Sequence, residues 1–183
     1  MADEIPHSVR NDKNKMDAKE YIIRQFRWAR RQSDSVLLDV SEEQFNWTPP
    51  GTVSPISAIF LHMVTIEDAY IQEAILGKAR LWDEQGWEEK IGSRAPWRGE
   101  NWDDLRGKPL TLDDVAQFQE TVRAATDAYI ETLTPEELDR RVLFEGRERR
   151  IGDMLSMLVV HNLSHAGEIA ALKGVQGAAG LSF

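Results

Sequence analysis

Hydrophobic residues recur at intervals of three and four along four stretches of the chain, which is the spacing of helices that bury one face. These stretches predict helices over residues 17–39, 54–76, 111–133 and 151–174. Asp17 is the predicted N-cap of the first helix, and Ser54 followed by Pro55 signals the start of the second. Gly77 is the expected end of the second helix, because glycine is favoured just past a helix C-terminus.

Shorter signals lie between these stretches. Residues 41–44 have the form of a capping box and predict one short helical turn, and Thr134 starts another. Residues 47–51 contain two prolines and a glycine, which break the chain. Thr111 with Asp114 predicts a box-like cap at the start of the third helix.

A small β-hairpin is predicted just before the fourth helix. Residues 141–144 and 147–151 flank the turn-forming pair Glu145-Gly146. Arginines around this hairpin either protect and solubilise an exposed ribbon or form an anion-binding patch near a site. They are Arg140, Arg141, Arg147, Arg149 and Arg150.

The connection over residues 78–109 has little periodicity but carries four tryptophans. They are Trp82, Trp87, Trp97 and Trp102. A connection of this length without clear secondary structure is uncommon in a compact domain unless it is functional or packs as a lid. The tryptophans therefore either pack on the body of the protein or contact a substrate.

Four helices with one long crossover between the second and third predict an all-α fold, a four-helix bundle with a small hairpin before its last helix. Residues 1–16 are polar and are expected to form a mobile arm. Residues 17–183 are expected to form a single domain, because no linker or internal repeat interrupts them.

Composition narrows the functional classes. The formal net charge is −9, which disfavours binding to the phosphate backbone of nucleic acid. The chain has no cysteine, so it offers no disulfide, thiolate ligand or cysteine nucleophile. No apolar run approaches the ~20 residues of a membrane span, and no signal peptide is visible at the N-terminus. We therefore expect a soluble, cytoplasmic protein.

The candidate chemistry lies on the fourth helix, whose inward stripe includes two histidines. The stripe consists of Met154, Leu158, His161, His165, Ile169 and Leu172. Residues at i and i+4 have Cβ atoms ~5–6 Å apart, so the two rings can chelate one divalent ion. His62, on the second helix, lies three residues after Ile59 and can also point inward. The alternative is that these are satisfied core histidines. Neither a zincin motif nor a di-iron carboxylate pattern is present.

These segments resemble the DinB-like (YfiT-like) superfamily. Residues 59–64 with Glu67 are similar to its second-helix signature, and residues 161–169 are similar to its fourth-helix signature. The resemblance implies an up-down-down-up bundle that is often a homodimer and binds zinc or nickel. It also implies thiol S-transferase or related chemistry with a low-molecular-weight thiol. The implied metal ligands are His62, His161 and His165.

Two residues depart from the superfamily pattern. Glu168 stands where glutamine is frequent, and Tyr70 stands where tryptophan is frequent. Glu168 is one turn beyond His165, so it is a candidate fourth ligand, an acceptor for an imidazole N–H, or a base. Glu67 is a second candidate catalytic carboxylate. The alternative for both glutamates is simple solvation.

The sequence leaves three functional hypotheses open. The chain is a divalent-metal-dependent enzyme, acting by thiol transfer or hydrolysis on a small electrophilic substrate. Alternatively, it is a non-enzymatic metal- or ligand-binding stress protein, or a structural dimer whose metal ion only ties helices together. Three protein ligands beside a cavity favour the enzyme, whereas four protein ligands without a cavity favour the others.

Overall fold

The computed structural model describes residues 16–97 and 102–181 of the chain. We number its elements in chain order. They are α1 (Ala18–Leu37), α2 (Glu42–Asn46), α3 (Ile56–Asp68), a π-helical continuation of α3 (Ala69–Ile75), α4 (Leu81–Glu84), α5 (Trp87–Ile91), α6 (Trp102–Leu105), α7 (Leu112–Ile130), α8 (Pro135–Asp139), β1 (Arg141–Phe144), β2 (Arg147–Arg150) and α9 (Ile151–Val175). The predicted arm, residues 1–16, lies almost wholly outside the described residues.

Four long helices of the described chain, α1, α3, α7 and α9, form the predicted four-helix bundle. The C-terminal ends of α1 and α9 lie together, since Lys173 Nζ donates to the Leu38 carbonyl at 2.9 Å. The start of α1 meets the end of α7, where Lys19 Nζ lies 3.3 Å from a Glu131 carboxylate oxygen. α1 and α9 are therefore parallel, and α7 runs opposite to them.

The direction of α3 follows from the core. Ile56, at the start of α3, shares a hydrophobic cluster with Ile169 near the end of α9. Ile75, at the other end, shares a second cluster with Ile151 at the start of α9. α3 is thus antiparallel to α9 and parallel to α7, which gives up-down-down-up connectivity. Parallel neighbours cannot be joined by a tight turn, so a long crossover must link α3 to α7.

α3 is the central helix of the bundle, and all thirteen of its residues are buried. Phe45 and Phe118 share the cluster of its first half, where Phe60 of α3 itself contacts Phe45, and Phe26 and Phe144 share the cluster of its second half. A fully buried side chain of this size contributes roughly 1.5–3 kcal/mol by leaving water. Because α3 is enclosed on every side, polar groups on it meet other protein groups, and His62 is one of them.

Two predicted helix starts are wrong in detail. Ser54 does not cap α3; instead Pro55 is the N-cap, in extended conformation, and its carbonyl accepts from the N–H groups of Ala58 and Ile59. Asp114 does not close a capping box on α7. The Leu112 N–H donates instead to Glu42 Oε1 at 3.0 Å, so the neighbouring helix α2 supplies the cap.

Other predicted boundaries are confirmed. Asp17 accepts the Glu20 N–H at 2.7 Å and caps α1, and Ser41 forms a complete capping box with Gln44. Gly77 follows the π-helical segment with φ +64°, a left-handed conformation that glycine adopts at little cost. α7 ends at Ile130, three residues before the predicted end.

The predicted hairpin is confirmed, with β1 and β2 antiparallel and Phe144 paired with Arg147. Glu145 and Gly146 both have positive φ, 53° and 72°, as a two-residue type I′ turn requires. The hairpin presents Phe144 inward, where its ring centroid lies 5.0 Å from that of Tyr70.

The crossover contains more regular structure than its sequence predicts, namely the short helices α4, α5 and α6 in its described part. Asp68, fully buried at the end of α3, accepts the N–H groups of Leu81 and Trp82 at 3.0 and 2.9 Å. These bonds fix the first turn of α4 to the bundle. No helix in the described part of the chain has both the length and the apolar character to cross a bilayer.

Candidate metal centre

The three histidines of the described chain converge inside the bundle. One ring nitrogen from each of His62, His161 and His165 lies within 4.8 Å of the others. The Nε2 atoms of His62 and His161 are 3.1 Å apart. The ring centroids are 4.5 to 5.1 Å from one another. The three imidazoles therefore face a common point.

This convergence follows from helix geometry. His161 and His165 are one turn apart on α9, so their side chains lie one above the other on the same face. His62 comes from the antiparallel helix α3, which packs directly against that face. The predicted inward stripe is confirmed: Met154, Leu158, Ile169 and Leu172 are all buried.

The crossover holds the His62 ring. His62 Nδ1 lies 3.2 Å from the carbonyl oxygen of Pro96, which can only accept, so Nδ1 carries the proton and Nε2 faces the other histidines. The Trp102 ring lies against the same imidazole, with centroids 4.8 Å apart. His62 is 9% exposed, whereas the His165 side chain keeps 21% of its surface exposed. Solvent therefore reaches the cluster from the α9 side.

Glu168 contacts His165 rather than the centre of the cluster. Its Oε2 lies 2.9 Å from His165 Nδ1, and 43% of the glutamate side chain is exposed. A carboxylate on Nδ1 fixes the ring orientation and turns Nε2 toward the cluster. Of the three roles open to Glu168, this geometry is that of an acceptor for the imidazole N–H.

Burial keeps two of the rings neutral. Desolvation lowers the pKa of His62 to about 4, partly opposed by the Pro96 carbonyl. Desolvation also lowers the pKa of His161 to about 3, and the neighbouring His165 and His62 add to that effect. Neutral imidazoles with free lone pairs are the form that binds a metal ion.

The donor set fits a divalent metal ion. Two nitrogens bound to one zinc ion at ~2.0–2.1 Å and a tetrahedral angle are about 3.3 Å apart, close to the 3.1 Å between His62 and His161. The His161 Nδ1 atom is buried and has no partner in the described chain. Ligation through Nε2 would leave the proton of His161 on this nitrogen. A three-histidine set also leaves at least one coordination position open.

Glu67 lies elsewhere in the bundle. It is only 4% exposed, so solvation is not its role, and its Oε1 accepts from Arg30 Nη2 of α1 at 3.1 Å. It does not belong to the histidine cluster. Tyr70 packs against Phe144 in the core below the hairpin.

Three of the four crossover tryptophans pack on the body of the protein; one of them, Trp97, is partly buried against the second hydrophobic cluster, with Arg80 Cζ 5.8 Å from its ring centroid. Trp82 and Trp87 are buried against Phe118, with ring centroids 5.2 and 5.1 Å from it, so they serve packing. Trp102 borders the histidines. The sequence could not distinguish Trp102 from the other three tryptophans, because its four-residue helix is too short to show a periodic pattern. The Pro96 carbonyl had no sequence signal at all.

Two hairpin arginines form local contacts. Arg140 donates to both carboxylate oxygens of Glu137 and to the Ile75 carbonyl at the end of the π-helical segment. Arg141 pairs with Glu148 across the hairpin at 2.8 Å. These contacts account for Arg140 and Arg141 without an anion-binding role.

The fold and the cluster together define a four-helix bundle with a candidate three-histidine metal centre. A model of the DinB superfamily matches residues 25–169, and the chain belongs to that superfamily. No curated protein matches the chain.

Solved structures of the same fold have low sequence identity. A conserved protein from Enterococcus faecalis has a TM-score of 0.74 at 17% identity, covering 89% of this chain and 99% of its own. A DinB-like protein from Bacillus subtilis has a TM-score of 0.60 at 19% identity, covering 89% and 96%. YfiT from Bacillus subtilis, described as a probable metal-dependent hydrolase with an unusual four-helix bundle topology, has a TM-score of 0.59 at 16% identity, covering 91% and 93%.

Proposed function

We propose that His62, His161 and His165 bind one divalent metal ion, zinc or nickel, and that the protein is a metal-dependent enzyme acting on a small electrophilic substrate. The observation that carries this proposal is the approach of three imidazole nitrogens to within 4.8 Å of one another from two facing helices. Bound there, the ion would act as a Lewis acid and lower the pKa of a thiol or water beside it.

The remaining residues have supporting roles in this proposal. The Pro96 carbonyl and the Glu168 carboxylate each hold one Nδ1, so His62 and His165 present Nε2 without rearrangement. Trp102 covers the His62 side and limits the approach of water from the crossover. Substrate would enter from the α9 side, where the His165 and Glu168 side chains are 21% and 43% exposed and the Glu168 carboxylate would be the group that exchanges a proton with it.

Thiol transfer and hydrolysis are the two reaction types that we propose for this site. The chain contains no cysteine, so a thiol nucleophile would come from a low-molecular-weight thiol. Such thiols are kept reduced in the cytoplasm, which is the compartment we propose for the protein. A small molecule is the proposed substrate, and a homodimer is the proposed assembly.

One observation favours a second candidate, a non-enzymatic metal- or ligand-binding stress protein with a structural metal ion. Three clefts of the described chain, of about 850, 580 and 550 Å³, are lined by residues other than the three histidines. Coordination number separates the two candidates, because a catalytic ion keeps an exchangeable position and a structural ion is closed by protein ligands.

The experiment is an activity panel on the metal-loaded protein. Protein reconstituted with zinc, nickel or manganese is offered small thiols with electrophilic substrates, and ester or amide substrates without thiol. Turnover by wild type supports the enzyme hypothesis if it is lost in His161→Ala and kept in the control His7→Ala, which changes the histidine that is not a proposed ligand. A stoichiometric metal ion with full protein coordination and no turnover in any combination supports the structural alternative.

A further inference from the structure

A second candidate site lies between α1 and α7, away from the residues of the histidine cluster. The two helices border a cleft of about 850 Å³, within the usual range of small-molecule sites. Phe26 and Ile130 form its buried apolar floor, and Ile23 continues that floor toward solvent. Arg27 and Arg31 stand at its rim, both exposed and one turn apart on α1.

The carboxylates that line the cleft are paired with cations other than Arg27 and Arg31. Each wall carboxylate is already in an ion pair with the facing helix: Asp34 with Arg123, Asp127 with Arg30, and Glu131 with Lys19. Arg30 also pairs with the buried Glu67. In the part of the chain that the structure describes, Arg27 and Arg31 have no acidic partner. The cleft therefore offers two guanidinium groups beside an apolar floor.

This arrangement is unfavourable for the free protein. Like charges at i and i+4 on one helix repel each other. The two arginines have no acidic partner in the described chain although the protein as a whole is acidic, with a formal net charge of −9. The two walls are also joined, because the Arg123 guanidinium of α7 donates to both carboxylate oxygens of Asp34 on α1, at 2.7 and 3.2 Å. A cleft with a cationic rim that the described carboxylates do not neutralise is suited to an anion.

We infer that the α1–α7 cleft binds a small amphipathic anion. Its carboxylate-like head group lies between Arg27 and Arg31, and its apolar body lies against the half-buried Ile23, above the buried Phe26 and Ile130. Guanidinium groups recognise such a head by charge-assisted, bidentate hydrogen bonds. This site is independent of the metal centre, so it is expected in metal-loaded and in metal-free protein.

Two fluorescent probes of nearly the same shape test the inference. Anilinonaphthalene sulfonate carries an anionic head, and phenylnaphthylamine is its neutral counterpart. Folded wild-type protein binds the sulfonate saturably at one site, with an affinity that falls as salt is raised. In Arg27→Gln/Arg31→Gln the affinity for the sulfonate falls about tenfold or more, as expected when charge-assisted hydrogen bonds are lost, while the neutral probe changes less than about twofold.

A matched control removes the same charge elsewhere. Arg147→Gln/Arg150→Gln, on the exposed hairpin, leaves binding of both probes unchanged if the cleft arginines act locally. Ile23→Trp, which narrows the floor, weakens both probes. Circular dichroism confirms that each variant is folded. Equal loss in the two double variants, no change in Ile23→Trp, or no saturable binding by wild type would overturn the inference.

Discussion

The Nε2 atom of His62 lies 3.1 Å from the Nε2 atom of His161, although the two residues are 99 positions apart in the sequence. Two imidazole nitrogens at this separation are held either by one shared proton or by a common ion. The Nδ1 proton of His62 is engaged by the Pro96 carbonyl, so His62 contributes a lone pair in either case. The relationship between these two rings therefore defines the centre of the candidate site.

The role of Glu168 is tested by Glu168→Gln. Because the carboxylate contacts His165 Nδ1 and not the cluster centre, the variant should still bind one metal ion per chain. Loss of the oriented carboxylate should weaken metal affinity by about 10- to 100-fold. Competition titration with a chromophoric chelator measures this change. Complete loss of stoichiometric binding would show instead that Glu168 is a ligand.

The buried rings give the metal-free protein a pH dependence of known sign. The pKa values of His62 and His161 in the folded state, about 4 and about 3, lie below the ordinary value of 6.5. As the pH falls below about 6.5, the unfolded chain takes up protons that the folded chain does not, so the free energy of unfolding decreases. This stability is fully present above pH 6.5 and is lost as the pH falls toward 4 and then 3.

The measurement compares wild type with His161→Phe by urea unfolding between pH 7 and pH 5, with chelator present. Wild type should lose more stability than the variant over this range. Burial raises the pKa of Asp68 to about 6, which acts in the opposite direction. That residue is common to both proteins and cancels in the difference. Identical pH dependence in the two proteins would exclude a neutral, buried His161.

Asp68 should be a major anchor of the crossover. Asp68→Ala leaves the Leu81 and Trp82 N–H groups without their acceptor, which should cost about 2 to 4 kcal/mol of unfolding free energy. The control is Asp83→Ala, because Asp83 pairs with Arg80 at a largely exposed position and should change stability by less than about 1 kcal/mol. Equal effects in denaturant unfolding would mean that the crossover is held by other contacts.

The sequence predicts well the features that depend on residues within one helix or one turn. The i, i+4 spacing of His161 and His165 needs only a helix, and the turn at Glu145-Gly146 needs only two residues that accept positive φ. These features follow from local geometry, which is why the bundle, the hairpin and the histidine stripe could be predicted.

The remaining features depend on groups that are distant in sequence. The Pro96 carbonyl that orients His62 is a backbone group, and the identity of residue 96 does not predict this contact. The Arg30–Glu67 ion pair joins two helices and buries Glu67, so the interpretation of Glu67 as a solvated residue was wrong. Glu42 replaces Asp114 as the cap of α7 because α2 packs beside that helix start. Such pairings are decided by tertiary packing.

Elemental analysis of the bound metal shows whether His62, His161 and His165 share one ion. Purified wild-type protein, equilibrated with zinc or nickel and freed of excess ion, should retain one ion per chain by elemental analysis. His165→Ala should retain none, whereas His7→Ala, which changes the fourth histidine of the chain, should retain one. Full metal content in folded His165→Ala, or no bound ion in wild type, would show that the three histidines do not form a shared metal site.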